Sequence, residues 1–231
     1  MSWRFHAVLF TFLCTAAAAA DPLIEARAAL QRFTGKQPLH AAVELRRSRH
    51  AHGRFLNDDF DGSATFEIEA DANVVRVTYA RALLERGAAE PARHRALTEA
   101  QPIAIADAID GAAPLLRLLG SGRVIDVHDG HFTMQLPPAA TGASTEIGGV
   151  DVTDDRLTVW LGNDGVPLSA RRERHGSTGL LFLRINSVRT ETWSFGVRGD
   201  HLVALRFEDQ STVTGPGQRG EAHSVWTVRP R

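Results

Sequence analysis

The stretch Asp155-Arg156-Leu157-Thr158-Val159-Trp160-Leu161-Gly162-Asn163-Asp164-Gly165-Val166-Pro167 decides the fold class. Leu157, Val159 and Leu161 alternate with Thr158, Trp160 and Gly162, and Asn163-Asp164-Gly165 supplies a turn. Period-two alternation ending at a turn of this composition is the signature of a strand entering a hairpin. Reading outward, the chain returns through Val166 to Arg174, with a turn predicted at His175-Gly176. A further strand runs from Leu180 to Thr192, and Trp193 to Arg198 leads to a turn at Gly199-Asp200. His201 to Thr214 and Glu221 to Val228 close the run, which reads as a long antiparallel meander.

The N-terminus reads as a signal peptide over residues 1–20. Arg4 is the basic region, Ala7 to Cys14 the apolar region, and Ala16 to Ala20 a small-residue cleavage site. A lipobox on Cys14 is the alternative, opposed by the bulky Thr11-Phe12-Leu13 before it. Removing 20 of 231 residues leaves 211 in a single domain, 21–231, with no cysteine. Its stability must then come from a core rather than from disulfides. Without Arg4 the balance is 25 basic to 27 acidic residues, which argues against a nucleic-acid partner. No later stretch is apolar for long enough to span a bilayer, and no stable membrane anchor is expected.

From Asp21 onward a helix is expected, with Asp21 as cap, Pro22 in its first turn, and Leu23, Ala26, Leu30 and Phe33 on one face. Leu39 to Arg49 reads as a strand that His50-Ala51-His52-Gly53 interrupts. A turn is predicted at Asp61-Gly62, then strands around Phe66 and Ile68 and around Val75, Val77 and Tyr79. Residues 83–120 change to helical composition. Thr98 to Gln101 has capping-box spacing, and Asp110 is placed to cap a helix through Leu115 and Leu119. A hairpin about Asp129-Gly130 and a loop of small residues, 137–149, lead into the meander. The expected class is α+β, a curved antiparallel sheet packed on a few helices.

This order resembles the LolA-like family of periplasmic lipoprotein carriers. The local matches are the helix Leu23 to Phe33 and the turn Asn163-Asp164-Gly165-Val166-Pro167 before a returning strand. The resemblance implies an incomplete β-barrel around helices, with an apolar cavity for acyl chains. The aromatic hairpin of those carriers has no counterpart here, where the chain reads Val77-Thr78-Tyr79-Ala80-Arg81-Ala82-Leu83.

Chemical motifs are sparse. Asn57, Asp59 and Asp61 imitate the start of a calcium loop, but Ile68 stands where a bidentate Glu is required, and a solvated turn fits better. His50 and His52 share a strand face, and His128 and His131 bracket a turn, with His94 or a carboxylate as further zinc ligands. Ser177 lies in no nucleophile elbow, and Glu67/Glu69 and Glu208/Asp209 read as solvated carboxylates. No catalytic residue, metal or cofactor is assigned. The expected function is binding or carrying a lipid or other hydrophobic ligand after export to the periplasm or beyond. Phe66, Val77, Leu157, Val159, Leu183 and Leu205 are the expected lining, and the apolar run Leu180 to Leu183 suggests a strand apolar on both faces. Two alternatives come from other classes: an envelope protein-interaction module using sheet edges and exposed Trp, and a metal-dependent enzyme using the histidines.

Overall fold

A computed structural model describes residues 21–53, 58–71, 74–90, 97–98, 105, 109–137, 150–180 and 183–231. The expected leader, the segment 138–149, Asn57, His94 and the Gln101 end of the capping box lie outside the described residues. Three helices are described, α1 (Pro22–Arg32), α2 (Arg81–Ala89) and α3 (Ala112–Ser121). The strands are β1 (Leu39–Gly53), β2 (Asp58–Ala70), β3 (Val75–Tyr79), β4 (Arg123–His128) and β5 (His131–Gln135). They continue with β6 (Val152–Leu161), β7 (Pro167–Leu180), β8 (Leu183–Arg198), β9 (His201–Gly215) and β10 (Gln218–Pro230).

All ten strands form one antiparallel sheet in the order β3-β2-β1-β10-β9-β8-β7-β6-β5-β4. Among the described residues its two edges do not pair with one another, and the sheet is unclosed. The first long strand pairs with the last, Val43 lying opposite Val228 and Leu45 opposite Trp226. β3 and β4 follow one another among the strands yet occupy opposite edges, nine strand spacings or roughly 43 Å apart measured along the sheet. The connection between them packs across one face of the sheet. Among its described residues Leu83, Leu97, Ile105, Ile109, Ala112, Leu115 and Leu119 are buried against that face, whereas Leu84 is 52% exposed. That face is the inner one.

Local chemistry explains the helix starts. The Asp21 carboxylate accepts from Leu23 N–H at 2.9 Å, and Pro22 needs no N–H partner. Asp110 Oδ1 accepts from Ala112 N–H at 3.1 Å at the start of α3. Gly130 and Gly165 turn their hairpins with φ of 77° and 75°, a region in which a Cβ is penalised.

Tertiary pairing overrides three expected breaks. His50 to Gly53 do not interrupt β1 but pair with residues 218–221 of β10. Asp61-Gly62 is not a turn, since Gly62 pairs with Arg47 inside β2. His175-Gly176 is not a turn either and lies opposite Val188 and Ser187, which puts Ser177 within β7 as well. In each case neighbouring strands satisfy the backbone and extend the pairing through residues that prefer turns locally. Gly176 is small for a packing reason, because a Cβ there would sit 2.9 Å from Val150 Cγ1. The run Leu180 to Leu183 is likewise not one strand. Leu180 pairs with Leu183 at the tip of the β7–β8 hairpin, and Leu181 and Phe182 lie outside the described residues.

The inner face carries two cores. One gathers Ala26, Ala29 and Leu30 of α1 and Ala112, Leu115 and Leu119 of α3 over Phe132, Met134, Leu157, Val159 and Ala170. The other gathers Leu83, Leu97, Ile105 and Ile109 over Val43, Leu45, Phe66, Ile68 and Val228. Each fully buried side chain of this kind contributes about 1.5–3 kcal/mol of transfer free energy.

Candidate functional site

Between the two cores the inner face changes character. One cross-strand row runs Phe132, Val159, Ala170, Trp193, Phe207, Trp226, Leu45 and Ala64. Its ends are buried, but Trp193, Phe207 and Trp226 are only half-buried. Trp193 packs on the first core and Trp226 on the second. Phe207 stacks on Trp193 with ring centroids 5.3 Å apart, and Trp226 meets Phe66 edge-on at 6.0 Å. This aromatic seam is where the two cores meet. A notch of about 20 Å³ opens onto it, lined by Asp110, Gly111, Pro114, Leu115, Leu118, Trp193 and Phe195, with room for roughly one water.

Two residues further along each strand, the same face becomes ionic. The next row carries Arg172, Glu191, Asp209 and Ser224, and the one beyond carries Asp155, Arg174, Arg189 and Ser211. Arg172 donates from Nε and Nη2 to both oxygens of Asp155 at 2.8 and 2.6 Å. Arg189 donates in the same bidentate way to Asp209 at 2.7 and 2.8 Å. Glu191 sits among the three guanidiniums, its Oε1 3.0 Å from Arg174 Nη2 and 3.3 Å from Arg189 Nη2. Asp155 is 0% and Glu191 8% exposed.

Arginine suits such a band because its planar fork matches a carboxylate bidentately. Burial is the largest single influence on Arg172 and acts against its charge, but the hydrogen bond to Asp155 and the attraction of Asp155 and Glu191 together outweigh it and hold the pKa above the ordinary arginine value. Arg174 lies below that value, because burial dominates and Glu191 offsets it only in part. Among the described side chains, two buried polar atoms have no hydrogen-bond partner, Arg174 Nε and Glu191 Oε2.

The expected lining residues divide between the two cores. Leu157 and Val159 are sealed in the first core, while Phe66 is buried in the second with Val77 and Leu205 half-buried against it. Leu183 begins β8, and its side chain lies outside the described residues. Trp160, Trp193 and Trp226 all lie on strands of the meander. Register separates them, because Trp160 stacks with His131 on the outer face at 5.9 Å. The ionic band was missed, and Asp209 is no solvated strand-end carboxylate. The available signal was Arg172 and Arg174 falling on the parity of Ala170.

The outer face holds an open groove of about 760 Å³ over β2, β1, β10 and β9, lined by Glu44, Arg46, Asp61, Arg206, His223 and Arg229 among others. Its charges pair at the surface, Arg46 with Glu44 at 2.8 Å and both Arg206 and His223 with Glu208 at 2.9 Å. His50 lies against Asp59, whose hydrogen bond holds its pKa above the ordinary histidine value, and Asp61 is 3.8 Å from its Nε2. His128 and His131 stack at 5.2 Å instead of converging on a point. Among the described residues no group of three or more His, Cys, Asp or Glu side chains is placed to hold a metal ion. No described helix is long and apolar enough to cross a membrane. No protein-family model matches the chain, and neither a curated protein nor a solved structure matches it at a significant level.

Proposed function

We propose that this chain is an exported, LolA-like incomplete barrel that binds or carries a lipid or other hydrophobic ligand on its inner face. The observation that carries the reading is the half-buried aromatic row Trp193, Phe207 and Trp226 between two separate cores. A folded chain gains most by sealing such rings, so rings left half-covered on an inward face suit an apolar guest. The guest would gain about 25 cal/mol for each Å² of apolar surface buried, less the cost of parting the helical connection from the sheet. The notch at Trp193 is too small for an acyl chain, so binding would require that parting.

Native mass spectrometry of the protein isolated from its own compartment tests this reading. A discrete added mass that matches a lipid supports it, and a bare polypeptide mass removes it. A second reading, a protein-interaction module, is favoured by edge strand β4, where Ile125 and Val127 are 45% and 52% exposed. Co-purification of one stoichiometric protein with the bare chain would select that reading.

A further inference from the structure

The band beside the seam bears on what such a guest carries at its polar end. Glu191 and Trp193 are neighbours on one face of β8, about 7 Å apart along the strand. The rings run across the strands, with the ionic row parallel to them, so a chain lying on Trp226, Phe207 and Trp193 meets Glu191 where its end turns along β8 from Trp193. Beyond that point a hydrocarbon would have to displace paired charges, which is unfavourable.

The band is complete at its flanks and incomplete at its centre. Asp155 uses both oxygens on Arg172, and Asp209 uses both on Arg189. The central pair has one donor and one acceptor left over, Arg174 Nε–H and Glu191 Oε2, the latter 3.7 Å from Arg172 Nη1. Buried polar atoms left without partners are uncommon and costly. These six side chains, three guanidiniums and three carboxylates, sum to zero charge among themselves. An ionised head group would leave a net buried charge there. A hydroxyl or amide adds none, and it can accept from one orphan while donating to the other.

We infer that the inner face takes a neutral amphiphile, a single acyl or alkyl chain along Trp193, Phe207 and Trp226 whose hydroxyl or amide head is held by Arg174 and Glu191. This rests on the seam being the ligand site proposed above. The test is a titration of delipidated protein, followed by tryptophan fluorescence, with monomyristoylglycerol, ionised myristate and tetradecane. The glycerol ester should bind about tenfold or more tighter than either of the others, because only it completes the central pair without adding charge. Glu191→Gln makes the band cationic, and the preference should reverse toward myristate. Arg174→Lys keeps the charge and removes the Nε donor, so it should weaken the ester and leave tetradecane unchanged. If Glu191→Gln does not melt cooperatively, Arg174→Lys carries the test. Myristate binding the unaltered protein as tightly as the ester would overturn the inference. So would a ligand-bound structure in which a water spans Arg174 and Glu191 while the head group lies elsewhere. Failure of all three ligands, tetradecane included, would instead remove the hydrophobic-carrier reading itself, and this inference with it.

Discussion

Two stretches of the same strand solve burial in opposite ways. On β6, Val159 and Leu157 point inward beneath α1 and α3 and are sealed in hydrocarbon. The next inward residue, Asp155, is equally buried, and its environment is a guanidinium. The inward parity of a strand therefore predicts burial and not polarity. Burial is decided by what covers the face, whereas a charge is tolerated only where the neighbouring strand brings an opposite charge into register. Arg172 and Asp155 meet that condition, since Arg172 lies directly opposite Leu157 and next to Arg174, which faces Asp155.

The largest effect that would break this comparison comes from orphaning one charge. Asp155→Asn should destabilise the fold by about 3–5 kcal/mol in urea denaturation, because Arg172 keeps its charge and loses its bidentate partner. The joint change Asp155→Leu with Arg172→Met should recover most of that loss. If the single and double variants were equally unstable, pairing would not be what makes the band tolerable. Slightly smaller is the cost on the apolar side, where Leu157→Ala should remove about 2–5 kcal/mol through lost packing and a residual cavity. That loss should be insensitive to salt, whereas surface ion pairs are screened.

The seam should respond more weakly. A double-mutant cycle on Trp193 and Phe207, each changed to Leu, should return a coupling of about 0.5–1.5 kcal/mol. A coupling near zero would mean that the stacked rings contribute no more than separate apolar surfaces. The smallest effect belongs to the exposed outer face. Arg206 and His223 hydrogen-bond Glu208 and hold its pKa below the ordinary glutamate range. A carboxyl depressed in the folded state contributes stability above its unfolded pKa, and this is lost as pH falls through the folded value. Glu208→Gln should therefore flatten the acid limb of the stability profile within that window, by less than about 1 kcal/mol for so exposed a pair. A steeper acid limb in Glu208→Gln would contradict the sign.

Much of the fold could be read before any coordinates. The alternation of Leu157, Val159 and Leu161, the Asn163-Asp164-Gly165 and Asp129-Gly130 turns and the Asp21-Pro22 helix start all stand where local chemistry puts them. What misled were the turn-like pairs Asp61-Gly62 and His175-Gly176, where long strands on either side carry the ladder through. The candidate site was less accessible. Phe66, Val77, Leu157, Val159 and Leu205 are inward-facing or half-buried, but they serve two different cores. The half-covered rings had no local signature, and the buried ion pairs showed only as Arg172 and Arg174 on the parity of Ala170.

The strand-rich meander, the short helices and the places where hairpins turn follow from side-chain period and from residues adjacent in the chain. Folding in three dimensions was needed to join β1 to β10, to carry one connection across the inner face, and to bring Asp155, Glu191 and Asp209 to Arg172, Arg174 and Arg189. Those outcomes depend on the register between strands distant in sequence, and a one-residue slip would send each of these side chains to the opposite face.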